Sequence, residues 1–420
     1  MHFTDLGLLA LGTAVSARTI TLPLRSGSVQ NDGRGPRGVT KYQRRAADAS
    51  SSGVNVPVTD WFNGTDNQWY TTFSVGTPPQ NFTALFDTGS PAFIIGASNC
   101  TTCGDKNLFD PSLSSTYLDS PGKFENYLFS TGADSQPFAE PEGATGYLVQ
   151  DTISWGDLTV ENQEFVICVT MSEALDAMPI DGIMGMSVRS SGSSESWYWN
   201  LVDSGQLDSG VYSFYIPGGD ITGGEVTLGG IDKTKYTGDL QYTKLNVESN
   251  LFESYVVNWN GMYINGEVLD NGTDAFTTGW AILDTGTAFM QTPDYETAVN
   301  IYAKISSNIT QIDPAGAWGA PCDELDSVAP DLTFLFGPAT GALNVTIPKA
   351  SFNLGEYPGL PGICQALFNN PSAGIGSWFV GKKAEWLVGS PLLKQYYTVW
   401  DSDNSRIGWG QLADGPGFTA

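Results

Sequence analysis

The chain has 420 residues and a formal net charge of −26, with 41% hydrophobic and 15% charged residues. This composition is typical of a globular protein rather than of a disordered acidic chain, and the acidity argues against nucleic acid as a partner, because binding phosphates needs a basic surface. The single histidine is His2, so the body of the chain lacks the imidazole that serine and cysteine hydrolases use as a base and that many zinc sites use as a ligand. We therefore expect carboxylates as the acid-base groups, with no metal and no cofactor.

The first 45 residues differ from the rest of the chain. A short apolar run is followed by Val15-Ser16-Ala17, a small-residue pattern that predicts a signal peptide over residues 1–17. Residues 18–45 carry seven Lys or Arg against one acidic residue, Asp32. This charge pattern predicts a basic propeptide that binds the acidic body, with Arg44-Arg45 as a processing site. A disordered basic linker is the alternative.

Other features agree with secretion. Beyond the leader, no apolar run is long enough to span a membrane, so we expect no stable membrane anchor. The five cysteines are compatible with an oxidising compartment. We expect a secreted protein, with a vacuolar location as the alternative. Six Asn-x-Ser/Thr sequons are candidate glycosylation sites: Asn63, Asn81, Asn99, Asn271, Asn308 and Asn344.

Most of the body is predicted to form strands, because short runs of Val, Ile, Thr, Tyr and Phe alternate with Gly, Asn, Asp and Ser. The 49 glycines and 23 prolines supply the turns of an all-β protein. The best helix candidate covers residues 295–305, with Pro293-Asp294 as its start signal. A body of this length fits two lobes better than one small β domain.

One short motif occurs twice. Phe86-Asp87-Thr88-Gly89-Ser90 and Leu283-Asp284-Thr285-Gly286-Thr287 each place an aspartate between an apolar run and a tight Thr-Gly turn, where glycine permits the sharp backbone geometry. An apolar pair followed by glycine recurs after each copy, as Ile183-Met184-Gly185 and Leu387-Val388-Gly389. The repetition indicates an internal duplication that brings two carboxylates together.

With these motifs the chain resembles the pepsin-like aspartic proteases, most closely the secreted fungal members. The resemblance extends from Gln68 to Gly410. It includes Tyr70-Thr71-Thr72-Phe73-Ser74-Val75-Gly76 before the first motif and Gln395-Tyr396-Tyr397-Thr398-Val399-Trp400-Asp401 near the end. It implies a mainly β, two-lobed pepsin-like acid protease fold with the active-site cleft between the lobes, which would span residues 46–238 and 239–420.

The resemblance also implies roles for the doubled motif. Asp87 and Asp284 would be catalytic and share a proton, because two carboxylates at close range cannot both ionise readily. In each copy the Thr would brace the loops, the Gly would form the turn, and the next hydroxyl would hydrogen-bond the outer carboxylate oxygen. These supporting residues are Thr88, Gly89, Ser90, Thr285, Gly286 and Thr287. Ordinary turn formation is the alternative for the hydroxyl residues.

The region that would cover the cleft departs from the family pattern. Ile94 stands where the family has a Trp that supports the flap tyrosine by a hydrogen bond, which Ile cannot make. Phe129 is the best match for that tyrosine, and Tyr127 is the rival candidate. About ten extra residues follow, within positions 133–144. Their prolines, glycine and acidic residues predict a solvated, mobile tip without regular strand pairing.

The cysteines are also assigned by resemblance. Cys322 and Cys364 match the disulfide of the C-terminal lobe, and Cys100 and Cys103 match the disulfide of a small loop after the first motif. Cys168 is left over, and we expect a buried strand thiol there.

These features together predict an aspartic endopeptidase that hydrolyses protein and peptide substrates at acid pH. We expect the protein to be made as a zymogen and to be a monomer. A catalytically impaired protease-like binding or inhibitor protein is the alternative, because the flap is degenerate. A glycosidase with two catalytic carboxylates is chemically conceivable, but it would leave the doubled motif and the basic leader unexplained.

Overall fold

The computed structural model describes residues 53–62, 66–132, 135–189, 196–217, 223–246, 254–269, 278–372, 379–380 and 383–413. The predicted signal peptide and propeptide lie outside the described residues. So do Ala133, Asp134 and the sequons at Asn63 and Asn271.

Strands dominate the described chain. The first half contains β1 Val54–Phe62, β2 Asp66–Val75, β3 Gln80–Asp87, β4 Phe93–Gly96, β5 Leu118–Phe129, β6 Glu142–Trp155, β7 Leu158–Met171, β8 Gly182–Gly185, β9 Val211–Tyr215, β10 Gly224–Leu228 and β11 Tyr236–Lys244. The second half contains β12 Tyr255–Ile264, β13 Glu267–Val268, β14 Gly279–Leu283, β15 Met290–Gln291, β16 Thr310–Gln311, β17 Trp318–Pro321, β18 Leu332–Phe336, β19 Leu343–Ile347, β20 Asn353–Glu356, β21 Ile363–Ala366, β22 Phe368–Asn369, β23 Phe379–Val380, β24 Lys383–Val388, β25 Tyr396–Asp401 and β26 Arg406–Leu412. The prediction of a mainly β protein is confirmed.

Helices are short and few among the described residues. They are α1 Glu173–Ala177, α2 Trp197–Asp203, α3 Tyr295–Ile305, α4 Cys322–Val328 and α5 Ser390–Leu393, with 3-10 helices at Pro111–Leu113 and Lys349–Ser351. Helix α3 has the bounds that the sequence predicted. Its first turn is capped by Asp294, whose side chain accepts a hydrogen bond from the backbone nitrogen of Thr297 at 2.8 Å, as expected for an acidic N-cap.

The strands form sheets of 13, 9 and 4 strands. The largest has the order β11-β26-β25-β9-β10-β1-β2-β3-β8-β4-β7-β6-β5, and the second has the order β19-β18-β12-β14-β24-β15-β22, with β13 and β23 on its sides. The smallest has the order β16-β17-β21-β20. The last two described strands, β25 and β26, therefore lie in the sheet formed mainly by the first half. The predicted lobe boundary at residues 238 and 239 falls inside β11 and stays a prediction.

Aromatic side chains fill much of the core beneath the sheets. Trp197, Trp259, Trp386, Trp400 and Trp409 are fully buried. Trp259 and Trp386 stack with ring centroids 4.1 Å apart. Such side chains remove large apolar areas from water, and the close packing gives the strands that carry the site a rigid base.

Candidate active site

Each predicted catalytic aspartate lies at the end of a buried strand. Strand β3 ends at Asp87 and pairs in parallel with β8, so that Asp87 lies opposite Gly185. Strand β14 ends immediately before Asp284 and pairs in parallel with β24, so that Leu283 lies opposite Val388. The two apolar-glycine segments that repeat in the sequence thus form equivalent partners of the two aspartate strands.

The two carboxyl groups lie against each other's turns. A Cβ atom built on Gly89 would lie 2.7 Å from Cγ of Asp284, and one built on Gly286 would lie 2.7 Å from Cγ of Asp87. Such contacts are too short for a real side chain, so glycine is needed at both positions to let the turns approach the carboxylates. Asp87 is 6% exposed and Asp284 is 7% exposed, which leaves the pair largely desolvated.

Each carboxylate also accepts two hydrogen bonds from its own turn, one from a backbone nitrogen and one from a hydroxyl. The bonds run from Gly89 N to Asp87 Oδ1 at 2.8 Å, from Ser90 Oγ to Asp87 Oδ2 at 2.5 Å, from Gly286 N to Asp284 Oδ1 at 2.7 Å and from Thr287 Oγ1 to Asp284 Oδ2 at 2.6 Å. The equivalent geometry fixes the orientation of both carboxylates. The resemblance implied the two contacts of the Ser90 and Thr287 hydroxyls, but not the two bonds from the glycine nitrogens.

The two threonines of the motifs join the loops beneath the carboxylates. The hydroxyl of Thr285 accepts a hydrogen bond from the backbone nitrogen of Thr88 at 3.1 Å and donates one to the carbonyl of Phe86 at 2.6 Å. The hydroxyl of Thr88 accepts from the backbone nitrogen of Thr285 at 3.0 Å and lies 3.3 Å from the carbonyl of Leu283. Both side chains are buried, so the two halves of the chain are fastened together at the site.

The environment of the pair favours a proton on Asp87. Burial raises the pKa of Asp87 well above its usual range, and the nearby Asp284 raises it further. Hydrogen bonds from Ser90 and Gly89 act in the opposite direction, because they stabilise the ionised form, but the pKa of Asp87 stays raised. A buried carboxyl pair of this kind can supply both an acid and a base.

A hairpin of β5 and β6 provides the two flap candidates. Its pairing reaches Phe129, which lies opposite Glu142. Tyr127 and Phe129 lie on the same face of β5, and both pack against the apolar cluster that contains Ile94. The residue at the expected Trp position therefore contributes apolar packing beneath this region. The choice between Tyr127 and Phe129 as the flap aromatic stays open.

The hairpin also reaches the second motif. The hydroxyl of Thr131 lies 2.8 Å from the hydroxyl of Thr287, which in turn donates to Asp284. The side chain of Thr131 is thus connected to Asp284 through the hydroxyl of Thr287.

The extra residues after β5 are more regular than we predicted. Strand β6 begins at Glu142, and Gly143 and Ala144 pair with Leu128 and Tyr127. The expectation that the whole segment would lack strand pairing was therefore wrong at its end. The reason is that the prolines of the segment, Pro137 and Pro141, precede its paired part, which begins at Glu142 opposite Phe129 and contains no proline.

The expectation of a solvated tip was also wrong in part. Pro137 is buried, and Phe138 is 8% exposed. The ring of Phe138 lies against Gly132, since a Cβ atom built there would be 2.6 Å from Cζ of the ring. Burying an aromatic ring offsets the cost of ordering the segment. Glu140 is exposed, as predicted.

Among the described residues, side chains of the second half donate hydrogen bonds to this segment, and none of these donors was identified from the sequence. Gln365 and Asn369 donate side-chain hydrogen bonds to the carbonyl of Ser135, and Ser372 donates to the carbonyl of Ala139. No motif marks these donors. Their position near the second motif follows from the pairing of β22 with β15, the strand that follows this motif. Sequence patterns do not predict which strands pair in this way.

The structure contains two disulfides among the described residues. Cys100 and Cys103 are joined with a Cα–Cα distance of 5.7 Å, and Cys322 and Cys364 with one of 4.7 Å. Cys168 lies buried in β7 as a free thiol. Burial raises its pKa to about 12, so the thiol stays protonated and unreactive.

No group of three or more His, Cys, Asp or Glu side chains in the described part of the chain is arranged to hold a metal ion. None of the described helices has the length and apolar content of a membrane span.

The chain is similar to known proteins over most of its length, and not only at the two motifs. The family model described as eukaryotic aspartyl protease matches residues 68–412. The chain is 29% identical to pepsin-2B of Gadus morhua, over 84% of this chain and 98% of that protein. It is 28% identical to cathepsin D of Dictyostelium discoideum, over 97% and 98% of the two chains. It is 27% identical to major aspartyl peptidase 1 of Cryptococcus neoformans var. grubii, over 91% and 76%.

Proposed function

The chain belongs to the eukaryotic aspartyl protease family and is an aspartic-type endopeptidase, and we propose that it hydrolyses peptide bonds of protein substrates at acid pH with water activated between Asp87 and Asp284. The observation that carries this proposal is the mutual arrangement of the two motifs. Each carboxylate is oriented by its own turn and lies against the glycine of the other.

The proposed reaction uses the pair as acid and base together. The ionised carboxylate takes a proton from water while the water oxygen attacks the carbonyl carbon of the peptide bond, and the protonated carboxyl group gives its proton to the carbonyl oxygen. The resulting diol then loses a proton to the pair while the amide nitrogen gains one, and the C–N bond breaks to give a carboxylic acid and an amine. The raised pKa of Asp87 supports a proton within the pair at acid pH.

The decisive experiment measures hydrolysis and its inhibition. Acid-treated protein is incubated with a denatured protein substrate, with and without pepstatin, a peptide inhibitor of this class of protease. We expect peptide products that pepstatin abolishes. Products that persist with pepstatin, or that the Asp87→Asn and Asp284→Asn variants also release, would overturn the assignment of the pair. A folded wild-type protein that binds pepstatin without turnover would instead be a protease-like binding protein.

The proposal includes synthesis as a secreted, monomeric zymogen with two lobes. Residues 18–45 carry seven Lys or Arg, and the chain as a whole has a net charge of −26. Ionised carboxylates would hold the basic segment near neutral pH, and their protonation would weaken this attraction. Mass spectrometry should show loss of the leader after a shift to about pH 3–4, where carboxylates titrate. If a variant in which both Asp87 and Asp284 are replaced by Asn loses the leader as fast as the wild type, self-processing is excluded.

A further inference from the structure

A short segment that follows β5 is fastened to the second half of the chain. We call residues 135–139 the strap. The carbonyl of Ser135 accepts hydrogen bonds from Gln365 Nε2 at 2.6 Å and Asn369 Nδ2 at 3.3 Å, and the carbonyl of Ala139 accepts one from Ser372 Oγ at 2.6 Å. The three donor residues are between 0% and 4% exposed. The strap is therefore held by side chains that are fixed in the second half, and not by mobile surface groups.

The place where the strap binds lies beside the second aspartate. Asn369 belongs to β22, where it lies opposite Gln291 of β15. Strand β15 begins at Met290, shortly after Thr287 of the second motif. Thr131, shortly before the strap, contacts Thr287 directly. The strap thus crosses from the β5–β6 hairpin to the strand pair that continues from the loop of the second aspartate.

An aromatic contact holds the strap on the hairpin side. Phe138 is 8% exposed, and its ring lies where a side chain at position 132 would stand, because a Cβ atom on Gly132 would be 2.6 Å from Cζ. Burying this ring removes apolar area from water. The strap is consequently fixed at both sides, by polar contacts to the second half and by an apolar contact to the hairpin.

We propose that the strap is an autoinhibitory element, which covers the cleft beside Asp284 and which a peptide substrate has to displace. The inference rests on the proposed function, because it concerns the access of peptides to the aspartate pair. The strap makes its polar contacts through backbone carbonyls, which are also the groups that an extended peptide presents to a protein. The strap and a substrate therefore compete, so the apparent affinity for substrate is lower the smaller the fraction of molecules in which the strap is open.

Opening of the strap can be followed without any activity measurement. Ser372 is 4% exposed and bonded to the strap, so the thiol introduced by Ser372→Cys should react with a soluble reagent only when the strap lifts. Cys168 is buried with a raised pKa and gives little background. Adding Phe138→Ala should speed this labelling about tenfold or more, as expected from loss of a buried ring. A thiol introduced by Ser327→Cys, at an exposed position of α4, is the control and should react at the same rate with and without Phe138→Ala.

The kinetic consequence separates inhibition from a purely structural role. In Phe138→Ala we expect KM for a short peptide to fall about threefold to tenfold with kcat unchanged, because the cost of opening is removed from binding. Phe138→Leu keeps an apolar side chain, so its KM should lie between those of the wild type and Phe138→Ala. Unchanged labelling, or faster labelling with an unchanged KM, would overturn the proposal. A wild-type protein that hydrolyses no peptide would contradict the proposed function, while the labelling rates would still decide whether the strap opens.

Discussion

Thr88 and Thr285 exchange hydrogen bonds across the boundary between the two repeats, since each hydroxyl accepts from the other residue's backbone nitrogen, at 3.0 and 3.1 Å. The two residues are 197 positions apart in the chain. Their position directly after the aspartates means that any change in this contact is transmitted to the carboxylates. The packing of the two halves against each other therefore affects the geometry of the two aspartates.

Replacing either threonine by valine should disturb both stability and turnover. Thr88→Val keeps the shape but leaves the buried backbone nitrogen of Thr285 without its acceptor, which costs about 1–3 kcal/mol. Displacement of the loops should lower kcat about tenfold to a hundredfold, because catalytic rates depend steeply on position. Thermal unfolding and peptide hydrolysis measure the two effects.

The matched control is Thr333→Val. The hydroxyl of Thr333 bonds to that of Thr346 at 2.8 Å between β18 and β19, so the variant loses a threonine hydrogen bond in a sheet outside the doubled motifs. Stability should fall slightly, with hydrolysis retained. Full turnover and unchanged stability in Thr88→Val would show that the contact does not position the aspartates.

Removing either carboxylate should abolish hydrolysis while the fold is kept. Asn in place of Asp87 or Asp284 preserves the size of the side chain, but an amide can neither take nor carry the proton. We expect activity to fall by about a thousandfold or more, with an unchanged circular dichroism spectrum. Wild-type-like activity in either folded variant would contradict the assignment of the pair.

The hydroxyl of Ser90 should set the upper pH limit of activity. Its hydrogen bond to Asp87 lowers the pKa of that carboxyl group. Ser90→Ala removes this effect, so the pKa of Asp87 rises and the pair keeps its proton to higher pH. The basic limb of the kcat/KM profile should then move to higher pH by about half a unit to one unit.

Ser209→Ala is the corresponding control, because its hydroxyl bonds to the carbonyl of Gly229 at 3.0 Å and to neither aspartate. Its pH profile should match that of the wild type. A basic limb that stays in place, or moves to lower pH, in Ser90→Ala would mean that the hydrogen bond does not act on the titrating group.

The sequence predicted those features that depend on local chemistry. Helix α3 has the predicted bounds because Asp294 caps its first turn. The mainly β fold and the resemblance to aspartic proteases are confirmed by the strands and by the family match over residues 68–412. The equivalent strand pairs around Asp87 and Asp284 follow from the repeated motifs, since similar segments fold into similar structures.

The strap shows why the remainder could not be predicted. Its contacts with the second half are made by backbone carbonyls of Ser135 and Ala139, and every residue carries a backbone carbonyl. The donors Gln365 and Ser372 are ordinary polar residues that lie 230 and 233 positions from their acceptors in the chain, and the pairing of strands in the second half decides where they lie. The content of proline and acidic residues indicated a solvated tip, but Pro137 and Phe138 are buried.

A buried carboxyl group outside the site should make the fold more stable at acid pH. Glu385 in β24 is 1% exposed, has no hydrogen-bond partner among the described residues, and has its pKa raised by burial to about 7. The folded state therefore prefers the protonated form. This stabilisation is complete below the unfolded pKa of 4.5 and is lost as the pH rises through about 7. In Glu385→Gln, which cannot ionise, unfolding experiments should match the wild type near pH 4 and show about 3 kcal/mol more stability near pH 8. Parallel stability curves for the two proteins between these pH values would mean that Glu385 does not titrate with folding.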